Sequence, residues 1–365
     1  MSSVPDSSVT SGEQTPRERH HGRHVPQQLP RRGHRRHLPG AVVPLVVGLV
    51  IGPVFVALYL AAFHAPVPHH LPIGVVAPEQ VVTSIEQHSA EHGDVFAVTT
   101  FPTERDARDG VTDHTVDGAL IVDDGRAHLF VAGANGPAVT QTLVGALTPV
   151  ATALHTELST TDLKPLPAGD TRGLSVFYAA FGIVLGAFLF GLTIMGVGRE
   201  LPHVWRAASA VAFAVLAGLV VAWLVDTVFG ALPAPFLLAA SIIAMLGLAI
   251  AVSTATLLRV FGGAGTFVAS IALLALGNAT STGVLPAQFL PDWLEPFTHV
   301  LPVGIAVRAL RGGAYFENDG VASAFVGLAL WIIIPAAVFV LVHEFQTRSD
   351  RAPGASSDAG GTPAS

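Results

Sequence analysis

Between residues 173 and 197 the chain carries no Asp, Glu, Lys, Arg or His. Lipid offers no water to backbone amides, and only a helix or a closed barrel satisfies them internally, so an uncharged run of this length is the mark of a membrane-crossing helix. Comparable apolar runs occupy 41–63, 207–229, 236–258 and 321–342, and a shorter one starts at the Gly262-Gly263-Ala264-Gly265 turn and continues to Leu276. The composition agrees, with 51% hydrophobic and 12% charged residues over 365 positions, far from the balance of a soluble domain. The expected fold class is an α-helical polytopic membrane protein with six transmembrane helices.

Charge sets the expected orientation. Seven arginines lie between Arg17 and Arg36, just ahead of the first apolar run, and the positive-inside rule then keeps the amino terminus in the cytoplasm. Residues 1–40 lack apolar periodicity and read as a disordered basic tail; its histidines, among them His20, His21 and His24, fit a solvated tail better than a metal tract. The run 41–63 is too long for the apolar core of a signal peptide and no small-residue cleavage pattern follows it, so it reads as a retained anchor. The loop at 198–206 and the stretch after 342 are basic and so cytoplasmic, and residues 344–365 read as a second disordered tail. Both termini are therefore expected inside, in a bacterial plasma membrane.

Residues 64–172 differ in kind. Strand patterns at 71–76, 94–100, 117–122 and 127–131 alternate with helical patterns at 79–92, 103–111 and 137–158, and the Asp123-Asp124-Gly125 turn joins two of the strands. This reads as an extracytoplasmic α/β domain between helices 1 and 2, followed by a Pro- and Gly-containing linker over 161–172. The five remaining spans fall within 173–343.

The segment 277–316 breaks that regularity. It lies between two spans yet holds four prolines, the polar run Asn278-Ala279-Thr280-Ser281-Thr282 and the arginines Arg308 and Arg311. Non-helical backbone at membrane depth must be shielded by protein or meet water. An external re-entrant region over 284–316 is therefore expected, with 297–310 as an amphipathic helix in the outer leaflet and its arginines reaching the surface. Asn278, Thr280, Ser281 and Thr282 either line a path or satisfy backbone freed where the fifth helix ends. Arg308 and Arg311 either anchor to head groups or bind an anionic group, whose geometry guanidinium matches.

Several functions are excluded outright. No cysteine is present, which removes disulfides, thiolate catalysis and zinc–thiolate sites. Lys164 is the single lysine and follows no Gly-rich turn, so the chain has no Walker A loop; if ATP drives this protein, another chain binds it. The net charge of −7 is spread over tails and loops and gives no reason to expect nucleic acid as a partner. His88-Ser89-Ala90-Glu91-His92 matches the H-x-x-E-H zinc pattern, but among 16 histidines it reads as a polar helix face, and neither a catalytic residue nor a metal or cofactor is expected. His69 and His70 read as an interfacial collar, and Asp226 as an acid near the outer end of its span.

The order of parts, one span, a large external domain and then five spans, resembles the membrane subunit of ABC-2 type transporters, in the branch similar to YhgE/Pip proteins. The local resemblance lies in Leu71-Pro72-Ile73-Gly74-Val75-Val76-Ala77-Pro78, in Asp117-Gly118-Ala119-Leu120-Ile121-Val122, and above all in Gly277-Asn278, Leu285-Pro286, Leu290-Pro291-Asp292-Trp293, Leu301-Pro302 and the stretch from Arg308 to Phe316. It implies a permease that pairs with a separate ABC ATPase, forms a homodimer among membrane lipids, and moves a hydrophobic or amphipathic substrate outward. It further implies ATPase contact at Arg199, Glu200, His203, Trp205 and Arg206. The outer gate would fall on 278–316, with Asn278, Thr280, Ser281, Pro291, Pro302, Arg308 and Arg311 as path residues. The alternative expectation is a non-transporting YhgE/Pip-like envelope protein whose external domain binds a partner or phage.

Overall fold

The computed structural model describes residues 38–91 and 93–351. The basic tail before Leu38, His92 and the tail after Arg351 lie outside the described residues. The chain divides into two units, Met1–Leu45 and Val46–Ser365; of the first, only the helical start of α1 (Leu38–Phe63) is described.

The water-soluble part is a five-stranded sheet of order β2-β1-β3-β4-β5. Strand β1 (Leu71–Val76) pairs in parallel with β2 (Phe96–Thr100) on one side and β3 (Gly118–Asp123) on the other. Strand β4 (Arg126–Val131) returns antiparallel to β3, with Asp123 opposite Arg126, so Asp124 and Gly125 form a two-residue turn. Both have positive φ, 47° and 74°, as a tight hairpin twisted with its strands requires. Strand β5 (Leu158–Asp162) lies parallel to β4.

Right-handed crossovers decide which face each helix covers. From β1 the chain reaches β2 through α2 (Glu79–Glu91), then passes back over β1 to β3 through α3 (Glu104–Thr112), so these two helices fall on opposite faces. The β4–β5 connection, α4 (Pro137–Ala153), leaves from a reversed strand and returns to the α2 face. The cores match: Val81 and Ile85 of α2 and Val139, Leu143 and Leu147 of α4 pack with Ile73, Leu120 and Leu129, whereas Ala107 and Val111 of α3 pack with Ala119, Ile121 and Phe130. Buried residues at every fourth position of α4 make its apolar stripe, and Pro137 opens it where a missing N–H costs nothing. Thr103 caps α3, its hydroxyl accepting from the Asp106 N–H at 3.2 Å and donating to the Asp106 carboxylate at 2.7 Å.

Strand β5 corrects the expected helix over 137–158 and the linker said to begin at 161. The helix stops at Ala153, His155 takes a left-handed φ of 57°, and the chain re-enters the sheet. Ladder bonds with β4, a bond between His128 Nε2 and Thr161 Oγ1 at 2.8 Å and the Ser159 hydroxyl donating to the Ala127 carbonyl at 3.2 Å hold it there.

The remaining chain is a helical membrane domain. Among the described residues, five helices are long and apolar enough to cross a bilayer: Leu45–Phe63 within α1, α5 (Ser175–Gly196), the span His203–Val228 begun by α6 (His203–Trp223), α7 (Phe236–Phe261) and the span Val321–Arg348 within α12 (Val321–Arg351). The protein is thus a multi-pass helical membrane protein. The expected fifth span falls on a shorter apolar helix outside these five, Gly263–Ala279, made of α8 (Gly263–Ala269), a π-helical stretch Ser270–Leu276 and α9 (Gly277–Ala279).

Of the five spans α7 is the most deeply buried, with α5, α6 and α12 packed around it. Close approach to α6 depends on Gly218, where a Cβ would stand 2.6 Å from the Ala240 carbonyl oxygen. Outward faces of α6 and α12 carry Val211, Leu216, Val220, Ile333, Ile334 and Leu341, all exposed in the single chain and suited to lipid.

The expected helix over 297–310 comes in two pieces, as Pro296 and Pro302 suggest: α10 (Glu295–Val300) and α11 (Pro302–Tyr315), with Leu301 extended between them and Pro302 starting the second. Helix α11 does not, however, lie on the lipid surface. Val303, Ala306, Val307 and Leu310 are buried against α5, α7 and α12, and Trp331 Nε1–H of α12 donates to the Val300 carbonyl at 2.8 Å.

Two phenylalanines from these connections enter the α/β domain. Phe289 joins the core under α2 and α4, and Phe316 joins the core under α3. The sheet is thereby gripped on both faces by the chain around α10 and α11. A backbone bond from the His69 N–H to the Gln288 carbonyl at 2.8 Å adds to the grip.

Candidate functional site

At the end of the bundle under the α/β domain lies a polar pocket of about 360 Å³. One wall belongs to the domain: His114 follows α3, Asp117 precedes β3, and Asn135 closes the tight turn Gly133–Asn135. The opposite wall belongs to the membrane part: Thr282 after α9, His299 on α10, Arg308 and Arg311 one turn apart on α11, and Asp319 in the α11–α12 loop. That loop folds back against α11 because residue 312 is glycine. The Phe316 and Asn318 N–H groups both donate to the Gly312 carbonyl at 3.0 Å, and a Cβ at 312 would meet the Asp319 carbonyl at 1.9 Å.

The fold-back aims Asp319 at the domain, where its carboxylate meets His114 Nδ1 at 3.2 Å. The His114 ring also stacks on Phe316 at 4.1 Å between centroids. Asp117 accepts from Asn135 Nδ2 at 2.7 Å through one oxygen, while its other oxygen is buried without a partner among the described residues. Burial pushes the Asp117 carboxyl up to about 6, against the opposing pull of His114 and Arg311. Arg311 donates to the Thr282 carbonyl at 3.2 Å, and burial lowers its pKa against the stabilising fields of Tyr315, Asp170 and Asp117; a guanidinium keeps its charge regardless. Tyr315 is pushed up to about 12, first by burial and then by Asp170. Asp170 spends its oxygens on the Leu174 and Ser175 N–H groups at the start of α5, both at 2.9 Å. Burial and Arg308 both hold His299 below its ordinary value, so its neutral ring accepts from the Arg308 guanidinium.

The pocket thus brings together two guanidiniums, two carboxylates and two imidazoles drawn from both walls. It can hold an anionic or zwitterionic group, and it links the α/β domain to the membrane part through the His114–Asp319 contact. Asp117 makes the link pH-dependent. Folded, its carboxyl keeps a proton up to about 6; unfolded, it releases that proton near 4, so the folded state binds more protons between those values. Stability therefore falls as pH rises through this window, by about 3 kcal/mol from this group. Asp117→Asn should keep the bond to Asn135 and flatten the profile, as measured by thermal unfolding in detergent from pH 4 to 7; an unchanged slope would exclude Asp117 as its source.

The expected path residues divide. Arg308 and Arg311 line the pocket, and Thr282 stands beside them. Asn278, Thr280 and Ser281 are buried beneath it and serve the backbone: Asn278 Nδ2 donates to the Leu274 carbonyl and Thr280 Oγ1 to the Leu276 carbonyl, each at 2.8 Å, and Ser281 Oγ accepts from the Gly283 N–H at 3.4 Å. The Asn278 side-chain oxygen stays buried without a partner among the described residues. Pro291 turns the chain, its carbonyl accepting from the Leu294 and Glu295 N–H groups, and Pro302 is buried at the start of α11. His114, Asp117 and Asp319 escape a sequence reading because His114 and Asp319 are 205 positions apart and no local pattern joins them.

At the other end of the bundle, Glu200 and Trp205 are exposed on the connection between α5 and α6 and the turn after it, whereas His203 and Arg206 face a cavity; the Arg199 side chain lies outside the described residues. His88 sits on α2, and its H-x-x-E-H partner His92 lies outside the described residues. No cluster of three or more His, Cys, Asp or Glu suited to a metal occurs among the described residues. Asp226 lies in a π-helical turn, Leu224–Val228, where its carbonyl accepts from the Gly230 N–H at 2.9 Å.

Fold and site together define a multi-pass helical membrane protein with an α/β domain inserted after its first helix. Comparison with known protein families, curated proteins and solved structures finds no match.

Proposed function

We propose that this chain is the membrane-spanning permease subunit of an ABC-2 type exporter, which moves a hydrophobic or amphipathic substrate outward under power from a separate ABC ATPase. The observation that carries this reading is the presence of two cavities at opposite ends of one bundle. An apolar one of about 390 Å³ opens between α5, α6, α7 and α12, and the polar pocket described above lies under the α/β domain. Two mouths of opposite polarity suit a substrate that enters from the membrane and leaves toward water.

In this reading Gly263–Ala279 completes six crossings. Both termini face the cytoplasm of a bacterium, the α/β domain faces outward, and two copies pair through the exposed apolar helix faces. The short connection carrying Glu200 receives the push from the ATPase, and α10 and α11 form the outer gate. Replacing Glu200 and Arg206 together by glutamine is expected to lower efflux of an amphipathic dye from cells at least about tenfold, a loss near 1.4 kcal/mol in coupling, with the amount of protein in the membrane unchanged. Unchanged efflux counts against the assignment, as does failure of any ATPase to copurify from mild detergent.

A further inference from the structure

The apolar cavity has a cationic rim that export alone does not explain. Its walls are Phe190, Ile194 and Met195 of α5 and Phe339 and Val340 of α12, closed by the small Ala207 and Ala255 of α6 and α7. Its rim is formed by His203 and Arg206 from the first turn of α6 and by His343 near the end of α12, with Arg259 from the end of α7 behind them.

These groups form an ordered relay. Arg259 Nη2 lies 2.7 Å from His343 Nδ1, and because guanidinium can only donate, that nitrogen accepts. The His343 proton then sits on Nε2, which lies 2.9 Å from His203 Nε2 and donates to it. His203 carries its own proton on Nδ1. The arrangement fixes both tautomers and uses every lone pair of the two rings, leaving the His203 Nδ1–H and the terminal Arg259 N–H groups not turned toward His343 as donors for an acceptor from outside. Among the described residues, Glu344 is the one acid on the lining, and it is already bridged to Arg348 at 3.3 Å.

Depth identifies the ligand. His203 begins one span, Arg259 falls in the last turn of another, and His343 falls near the end of a third. The rim therefore lies where hydrocarbon gives way to head groups, the level at which lipid phosphates sit, while the cavity extends into the apolar layer. Basic pockets between membrane helices take anionic lipid head groups, and a volume of about 390 Å³ lies within the usual range of ligand pockets, with room for part of one lipid chain rather than a whole lipid.

We propose that this cavity is a binding site for one anionic phospholipid, its phosphate held by Arg206 and the Arg259–His343–His203 relay and one acyl chain lying between Phe190 and Phe339. The cavity is the one the exporter reading takes as its membrane-side mouth, but lipid retention needs no ATPase and no transport, so its failure and the failure of efflux are read apart.

The test uses the full chain in nanodiscs made of equal phosphatidylglycerol and phosphatidylcholine, transferred to neutral detergent, with retained lipid counted by native mass spectrometry. The wild-type chain should keep one phosphatidylglycerol in preference to phosphatidylcholine. Arg259→Gln should weaken that retention about fivefold, the loss expected of one basic side chain at a charged lipid surface. Ala255→Phe and, from the facing helix, Ala207→Leu should fill the cavity and abolish the preference while the thermal midpoint is kept. Equal retention of both lipids overturns the proposal, as does phosphatidylglycerol held undiminished by both filled-cavity variants. Displacement of the lipid by millimolar inorganic phosphate as readily as by added phosphatidylglycerol would overturn the acyl-chain part and leave a simple anion site.

Discussion

Replacing Arg311 by methionine is expected to cost the folded protein about 3 kcal/mol, the upper end for a hydrogen bond that involves a charged group. The guanidinium sits among Asp117, Asp170 and the Tyr315 hydroxyl, and donates to the Thr282 carbonyl at 3.2 Å. Methionine fills much of the same volume, so little of the loss would come from a cavity. It would come from the carboxylates. Asp170 retains its two N–H donors at the start of α5, but Asp117 has one oxygen already without a partner and would lose the nearby positive charge that offsets its burial. Adding Asp117→Asn should then recover part of the stability, with a coupling of at least about 1 kcal/mol in the double-mutant cycle. Additive effects, measured as unfolding midpoints at pH 7, would show that the two side chains do not act together.

Truncating Phe316 to alanine should be comparably costly, about 3–5 kcal/mol for a fully buried aromatic ring. The ring is 2% exposed, lies among Ala107, Val111 and Phe130 beneath α3, and stacks on His114. Its loss removes the larger contact on that face of the sheet, so the effect should be local as well as global. Amide exchange should rise in α3 and on β3 and β4 while the helices around α7 stay protected. Trp293→Ala is the matched control, because that ring is 56% exposed and its removal should change stability by less than about 0.5 kcal/mol. Equal exchange in wild type and Phe316→Ala would mean that the domain holds to the membrane part by other means.

How far these features are legible in the sequence depends on whether they leave a local pattern. Membrane-length helices do, since an uncharged run such as 173–197 has no alternative in lipid. Strands β1 to β4 do as well, because Leu71–Val76 and Gly118–Asp123 are apolar runs bounded by turn residues. Strand β5 does not. Its Ser159, Thr160, Thr161 and Asp162 are exposed, so the strand exists by backbone pairing with β4 rather than by any alternation a reader could find. The break between α10 and α11 is foreshadowed by Pro302, but the burial of α11 is not, because its small and apolar residues would suit lipid as well as protein.

Tertiary placement is the part that sequence leaves open. Phe289 and Phe316 sit in loops that read as connectors, and nothing near them says that each completes a core on a different face of one sheet. Asn278, Thr280 and Ser281 form the more conspicuous polar cluster, yet they are spent on backbone where the helix ends, while the pocket takes Asp117 and His114 from more than 150 residues earlier in the chain. Arg308 and Arg311 stand out as charges on an otherwise apolar segment, and they are the expected path residues that reach the pocket.

The central claim is that the α/β domain and the connection between α5 and α6 lie on opposite sides of a bilayer. Because the natural chain has no cysteine, single substitutions report without background. Asp124→Cys marks the β3–β4 turn and Leu201→Cys marks the α5–α6 connection, and both positions are exposed. With a membrane-impermeant maleimide on intact cells, Asp124→Cys should label fully and Leu201→Cys only after the membrane is opened. Labelling of both from the same side would contradict the account.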